Sequence, residues 1–280
     1  MKRVITAAIL IPLVLLLLVK GSFLLVVAMA AFVAGLATWE YLSIAALHGS
    51  QPPRALTLVS VAIVFAATYQ NTALILPAIG LCSLVLLIVC GFRSPLERVL
   101  PDTAYSVFGL VYCCLTLTTV PLMWVQPGGP SRVIFLLCIV WTGDIAALYI
   151  GRRFGRTKLA PRMSPNKSWE GSAASLAGSL LIAAALVALA HELERRSIGT
   201  LRLAGPLAPW LGLAVVLNLF AQVGDLVESA IKRGAGVKDS GAMLPGHGGI
   251  LDRVDALLLA APALWYAQWI QQYLQRVSLR

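Results

Sequence analysis

Charge is scarce in this chain: only 12% of its 280 residues are Asp, Glu, Lys or Arg, against roughly one quarter in a soluble globular domain. That shortage excludes an ordinary water-soluble fold, because 59% of the residues are hydrophobic and the mean hydropathy is +0.85. Cysteine is also sparse. The five (Cys82, Cys90, Cys113, Cys114, Cys138) all lie in apolar runs with no CxxC pair, which argues against a disulfide framework or a zinc site and for small core residues. No internal repeat and no low-complexity tract is found beyond simple hydrophobicity.

What is present is a series of apolar runs near residues 4–19, 22–44, 55–70, 72–91, 103–124, 132–151, 172–191, 206–224 and 250–270. A spanning helix needs ~20 mostly apolar residues, so the expected fold is all-α, a polytopic integral membrane protein of about nine transmembrane helices. We expect one membrane domain overall, with plain spanning helices over 1–130 and helices carrying catalytic loops over 131–280. Lys2 and Arg3 precede the first run, yet no clear cleavage site separates it from the second, so a retained helical hairpin is expected rather than a signal peptide.

Basic residues are unevenly shared between the two sides of this nine-span arrangement. The side of the N-terminus holds 15 of the 22 Lys and Arg, six of them between 151 and 170, and the other side holds 7. The positive-inside rule then puts the N-terminus and the two longest polar loops in the cytoplasm. The net charge of +10 lies between apolar runs, where lipid headgroups and phosphorylated substrates meet it, so nucleic acid is not an expected partner. Trp124, Trp210, Trp265, Trp269 and Tyr273 fit an interfacial aromatic belt, and His48 and His191 read as interfacial.

Two polar segments carry the candidate chemistry. The first runs from Thr142 to Gly171 and contains Asp144 inside an apolar run, where an uncompensated carboxylate costs about 2.5–3.5 kcal/mol even on lenient scales. Asp144 is therefore expected to have a partner, either a structural bond to a neighbouring helix or a polar, metal-lined cavity. Arg152 and Arg153 are explained by topology alone. Lys167 differs, because Ser164-Pro-Asn-Lys-Ser-Trp-Glu170-Gly171 places a lysine and small hydroxyls at the start of a helix, which suits a phosphate.

The second segment runs from Gln222 to Asp255. On a helix Asp225, Glu228 and Ser229 share one face, as do Asp252 and Asp255. The loop between them carries Lys232, Arg233, Lys238, Asp239 and Gly246-His247-Gly248-Gly249, whose glycines allow positive φ and close approach to a phosphate. Hard cations such as Mg²⁺ take carboxylate oxygens and share their shell with substrate phosphates, so the layout suits a nucleotide triphosphate at the membrane surface. The plain alternative is that Lys232, Lys238, Asp239 and Arg253 form a solvated, ion-paired loop. His247 is assigned to substrate contact or loop shaping, since a phosphate nucleophile is already anionic at neutral pH.

The stretch from Ser229-Ala-Ile-Lys232-Arg233 through Lys238-Asp239-Ser-Gly and His247-Gly-Gly-Ile-Leu-Asp252-Arg253-Val-Asp255 resembles the C-terminal signature of the phosphatidate cytidylyltransferase, or CDP-diacylglycerol synthase, family. The 142–171 segment is similar to that family's upstream motif, with Leu148 standing where tyrosine is expected, and the first twelve residues are weakly similar. The resemblance implies CMP transfer from CTP to phosphatidate, giving CDP-diacylglycerol and pyrophosphate, in a bacterial cytoplasmic membrane with the site facing the cytoplasm. It implies Mg²⁺, with a second cation as an open alternative. Asp225 and Asp252 would be the principal metal carboxylates, with Asp255 and Asp144 in support. Lys167, Lys232, Arg233 and Lys238 would hold phosphates, and Ser164, Glu170, Ser229, Asp239, His247, Gly248, Gly249 and Arg253 would line the substrate. Expected partners are CTP, phosphatidate and membrane lipids, with a second copy of the chain as a further candidate. An ion-coupled transporter is the rival of another class and a CTP-dependent lipid kinase or another lipid cytidylyltransferase the chemical rival; the crowding of polar groups in one half of the chain favours an enzyme.

Overall fold

Apolar runs of this length leave the backbone one way to satisfy its own hydrogen bonds in hydrocarbon, which is to form helices. The computed structural model describes residues 2–241 and 248–278, and among them helix is the rule. The elements are α1 (Lys2–Lys20), α2 (Phe23–Leu47), α3 (Arg54–Gln70), a 3₁₀ turn (Thr72–Leu74), α4 (Ile75–Arg93) and α5 (Leu96–Gly109). A π-helical segment, Leu110–Leu115, continues α5 into α6 (Thr116–Trp124). Then come α7 (Gly129–Phe154), β1 (Lys158–Ala160), β2 (Ser164–Ser168), α8 (Trp169–Arg195), α9 (Leu207–Gly234) and α10 (Leu251–Ser278).

Six stretches among the described residues are long and apolar enough to cross a membrane: α2, Thr72–Arg93, Leu96–Trp124, α7, α8 and α9. The chain is therefore a polytopic, all-helical integral membrane protein. Ile11–Lys20 of α1 and all of α3 are shorter apolar helices, and the second half of α10 carries Gln268, Gln271, Gln272, Gln275 and Arg276, which dilutes its apolar character. Leu76, Phe92, Leu96 and Leu181 point away from the protein, as lipid-facing side chains should.

The chain divides into two compact units. The first comprises Met1–Leu122 with Ile231–Val254, and the second Met123–Ala230 with Asp255–Arg280. In the first, α2 packs on α3, α5 and the π segment, and α4 packs on α3 and α5. Tyr41 of α2 sits at the centre of an aromatic cluster with Tyr105, Phe108 and Tyr112. Close approach is allowed by Gly109, where a Cβ would meet the Tyr41 ring at 3.2 Å.

In the second unit the tight contact is α7 against α8. Small residues make it so: a Cβ on Gly178 would lie 2.9 Å from the Ala146 side chain, and Gly151 abuts Gly171. Since hydrocarbon gives apolar helices no reason to leave lipid for one another, close backbone approach and interhelical hydrogen bonds supply the adhesion, at about 0.6–1.7 kcal/mol per bond. The bonds are present. Asn218 of α9 donates to Ser175 and Ser179 of α8 at 2.8 and 2.9 Å, Ser179 donates to the Ile139 carbonyl of α7, and Gln222 donates to Asn218 and exchanges bonds with Ser172. The basic loop between α7 and α8 closes as a short antiparallel hairpin, β1 on β2, an addition to the all-helical expectation.

Candidate functional site

Each of two aspartates in apolar helices follows a glycine, and the glycine determines what the aspartate can reach. Gly143 precedes Asp144 on α7; a Cβ there would stand 2.8–2.9 Å from Asn218, Ser175 and Ser179, so only glycine lets α7 lie against this polar ladder. Gly224 precedes Asp225 on α9; a Cβ there would lie 2.6 Å from the Asp255 carbonyl oxygen, so only glycine lets α9 touch α10. The result in the second unit is a concentration of acid. Asp144 is within electrostatic reach of Asp225 and Lys167, and Asp255 of Asp225, Glu228 and Asp144.

The described cation of this group is Lys167, whose Nζ lies 2.6 Å from Asp225 Oδ2. Its place is set by the hairpin and the first turn of α8. Ser168 caps α8 by accepting from Gly171 N at 3.2 Å, and Glu170 accepts from Thr157 N at 3.1 Å, fastening the far side of the hairpin. Gly155 packs on the Ser168 side chain. The pair remains open: the side chains of Lys167 and Asp225 are 25% and 34% exposed, and Asp144 is uncovered by protein. Ser229, one turn beyond Asp225, donates to Asp225 Oδ1 only at 3.5 Å.

The first unit holds a second lysine–aspartate pair, built differently. Lys232, near the end of α9, donates to Asp252 Oδ1 at 2.5 Å, and both side chains are 11% exposed. Asp252 opens α10 and also accepts from Gly249 N at 2.8 Å and Ser240 N at 3.1 Å, as an acidic residue at a helix start should. Gly248 adopts φ +76°, and a Cβ there would lie 2.8 Å from Asp252 Oδ2. Beneath this pair lies Glu40 of α2, buried, accepting from Ser240 Oγ at 2.9 Å, Ile250 N at 3.0 Å and Leu251 N at 2.8 Å.

The expected residues thus sort into groups. Asp144, Lys167, Asp225 and Asp255 come together in the second unit, with Ser229 beside them, and Lys232, Asp252, Gly248 and Gly249 come together in the first. Asp225 and Asp252, expected as the principal pair, belong to different units and each has its own lysine. Glu170 serves the hairpin, and Ser164 is half-buried on β2. Arg233, Lys238, Asp239 and Arg253 are exposed, with Arg233 donating to the Val237 carbonyl at 2.9 Å. Gly248 and Gly249, expected against a phosphate, face the carboxylates of Asp252 and Glu40. His247 and Gly246 lie outside the described residues. Tyr149 is exposed on α7 beside Leu148.

Two residues were not anticipated. Glu40 is one, and Asp102 is the other: buried on α5, it accepts from Ser50 Oγ, Gln51 N and Ser94 Oγ at 2.6, 2.7 and 2.6 Å, stapling the turn after α2 to the turn after α4. Both were detectable as carboxylates inside or beside apolar runs, the signal that singled out Asp144.

Among the described residues no group of three or more His, Cys, Asp and Glu side chains is arranged as a ready ligand set for one metal ion. The donor chemistry of the second unit nevertheless suits a hard cation. Asp255 is within electrostatic reach of Asp225, Glu228 and Asp144, and Asp144 of Asp225 and Lys167, which pairs with Asp225. A Mg²⁺ ion typically takes only one or two protein carboxylates and completes its shell with water and phosphate.

Residues 1–270 match the model of the "Cytidylyltransferase family". The chain is 31% identical over 267 residues to the phosphatidate cytidylyltransferase of Staphylococcus aureus (strain COL), covering 94% of this chain and 96% of that one. It is 45% identical over 144 residues to the phosphatidate cytidylyltransferase of Brucella suis biovar 1 (strain 1330), covering 50% of this chain and 47% of that one. With the protein of the same name from Mycobacterium leprae (strain TN) it shares 38% identity over 173 residues, 61% of this chain and 51% of the relative. The chain thus spans about half the length of the Brucella and Mycobacterium relatives it matches.

Proposed function

The chain belongs to the cytidylyltransferase family, and on that premise we propose that it transfers CMP from CTP to phosphatidate, releasing pyrophosphate and forming CDP-diacylglycerol for phospholipid synthesis. The observation that carries this reading is the open pair Lys167–Asp225 set among further carboxylates in apolar helices. A charge cluster of that kind is expensive in a membrane and is kept where it serves a polar substrate.

In the proposed reaction an oxygen of the phosphatidate phosphate attacks the α-phosphorus of CTP. The bond from that phosphorus to the bridging oxygen breaks, and pyrophosphate leaves in line. The attacking oxygen is already anionic, so no general base is needed, and catalysis rests on positioning and charge. Asp225, with Asp144 and Asp255, would hold a divalent cation, which when bound supplies neutralisation of the triphosphate charge. Lys167, 2.6 Å from Asp225 Oδ2, is the described lysine of this group that would bind a phosphate oxygen of the substrate. Lys232 and Asp252, closed on each other, would shape the loop that carries the exposed Arg233 and Lys238, whose positive charge suits a phosphate.

We extend the reading to topology. The nine helical rods, counting α5, the π segment and α6 as one, are taken as spans with the N-terminus in the cytoplasm, supported by the excess of Lys and Arg on that side. On this reading the acceptor lipid lies in the cytoplasmic leaflet of the inner membrane, where CTP is available.

The test is a substrate panel. Purified full-length chain in nanodiscs receives CTP labelled at the α- or γ-phosphate, Mg²⁺ and either phosphatidate, diacylglycerol or other phosphorylated lipids. The proposal expects α-label in lipid and γ-label in pyrophosphate with phosphatidate alone. Transfer of γ-label to diacylglycerol would replace it with a lipid kinase, and absence of transfer would remove the enzyme reading.

A further inference from the structure

Glu40 lies two hundred residues or more from Ser240, Ile250 and Leu251, in a helix that is otherwise a plain apolar span. Glu40 is 2% exposed, and a polar group so deeply buried persists only when it is hydrogen-bonded. The bonds it makes are unusually distant in sequence. Oε2 accepts from Ser240 Oγ and Leu251 N, and Oε1 from Ile250 N. One side chain therefore holds Ser240 together with Ile250 and Leu251 at the start of α10.

Two glycines exist to permit that grip. A Cβ on Gly241 would stand 2.6 Å from Glu40 Oε1, and one on Gly249 would press closer still on Glu40 Oε2 and Ser240 Oγ. At Gly241 and Gly249 the backbone is thus laid directly on the carboxylate, where a side chain would have no room. Ile250 and Leu251 also stand at the start of α10, where the first amide groups have no partner within the helix and favour a negative charge. Glu40 supplies it from another helix.

The residues so fixed are those around Asp252. Ser240 donates its side chain to Glu40 and its backbone N–H to Asp252, and Gly249 touches Glu40 while donating to Asp252. Asp252 in turn holds Lys232. We propose that Glu40 is a positioning residue for the transfer reaction: it clasps residues 240 and 249–251 so that Asp252 and Lys232 are presented in one fixed arrangement. Glu40 does not touch the substrates and acts through those two residues. The kinetic part rests on the cytidylyl transfer proposed above, whereas the clasp itself does not.

The experiment therefore has two arms, each run on the full-length chain in lipid nanodiscs as the unmodified protein and as Glu40→Gln, Glu40→Asp and Gly249→Ala. The first arm measures backbone amide hydrogen exchange at Ile250 and Leu251. Glu40→Gln keeps a single carbonyl oxygen and should lose about 100-fold in protection there, the loss of roughly two charge-assisted bonds. Glu40→Asp, which retains the charge on a shorter arm, should recover part of it, and Gly249→Ala should resemble Glu40→Gln. The second arm measures steady-state transfer from labelled CTP to phosphatidate. Glu40→Gln should lower kcat by at least about tenfold while the KM for phosphatidate stays within about twofold, the pattern of an interaction lost in the transition state, with Glu40→Asp again intermediate.

Unchanged exchange at Ile250 and Leu251 in folded Glu40→Gln would overturn the clasp. A fall in kcat without a fall in protection would overturn the indirect role. If the unmodified chain shows no transfer, the activity reading fails while the exchange arm still decides the clasp. Should Glu40→Gln fail to insert, Ser240→Ala removes one of the three bonds and carries both arms with about a tenfold loss of protection.

Discussion

Two lysine–aspartate pairs in one chain make opposite use of the same chemistry. Lys232–Asp252 is closed: its side chains are 11% exposed, and Asp252 is already bonded to two backbone amides as well as to the lysine. Lys167–Asp225 is open, with side chains 25% and 34% exposed, a weak third contact from Ser229 and an uncovered Asp144 in electrostatic reach. A carboxylate whose oxygens are taken by protein donors organises its surroundings, whereas one with oxygens to spare is ready for a ligand. The comparison teaches that a shared residue pattern does not imply a shared duty.

The sharpest way to break that comparison is to neutralise each aspartate in place. Asp225→Asn should lower kcat/KM for CMP transfer by about 10³-fold, at the upper range for loss of a preorganised electrostatic group, with little change in thermal unfolding. Asp252→Asn should also reduce transfer, but a thermal or denaturant melt should show it losing about 3 kcal/mol of stability, because it removes one side of a buried, hydrogen-bonded charge pair. Equal melting of the two variants would erase the distinction between closed and open.

A smaller effect is expected at Lys167. Lys167→Ala should weaken transfer by about 10- to 100-fold, mainly through KM for CTP or phosphatidate. Its stability should stay near that of the unmodified chain, since exposed ion pairs contribute little. Unchanged KM for both substrates would remove its phosphate role. Smallest is Asn218→Ala, which should destabilise the second unit by about 1 kcal/mol, measured by unfolding in detergent, by breaking the ladder to Ser175 and Ser179. Loss of transfer without loss of stability in that variant would move Asn218 from scaffold to site.

How much of this was legible in sequence follows from which physical signal each feature emits. Hydropathy located the helical rods among the described residues, because each is built around an apolar run. Hydropathy marks the end of apolarity and not of the helix: the apolar run at 206–224 continues as α9 to Gly234, since Asp225, Glu228, Lys232 and Arg233 stay helical beyond it. The hairpin at 158–168 is not legible in the sequence, because strands of three and five residues are too short to show alternation. Asp144, Lys167, Asp225 and Asp252 stood out as charges out of place. Glu40 stood out equally, a carboxylate in an apolar run, but carried no local motif, and its partners lie two hundred residues away. The roles of Gly241 and Gly249 were hidden for the same reason: their need for space is set by Glu40, not by neighbours in the chain.

The central claim is that the open carboxylate group around Asp225 serves the nucleotide through a divalent cation. It is tested most directly by titrating Mg²⁺ into EDTA-treated full-length protein in nanodiscs, unmodified and as Asp225→Asn, and following CDP-diacylglycerol formed from CTP and phosphatidate. The account predicts product only with added cation in the unmodified chain and almost none at any concentration in the variant. Turnover that survives EDTA, or a variant that reaches normal turnover, would contradict it.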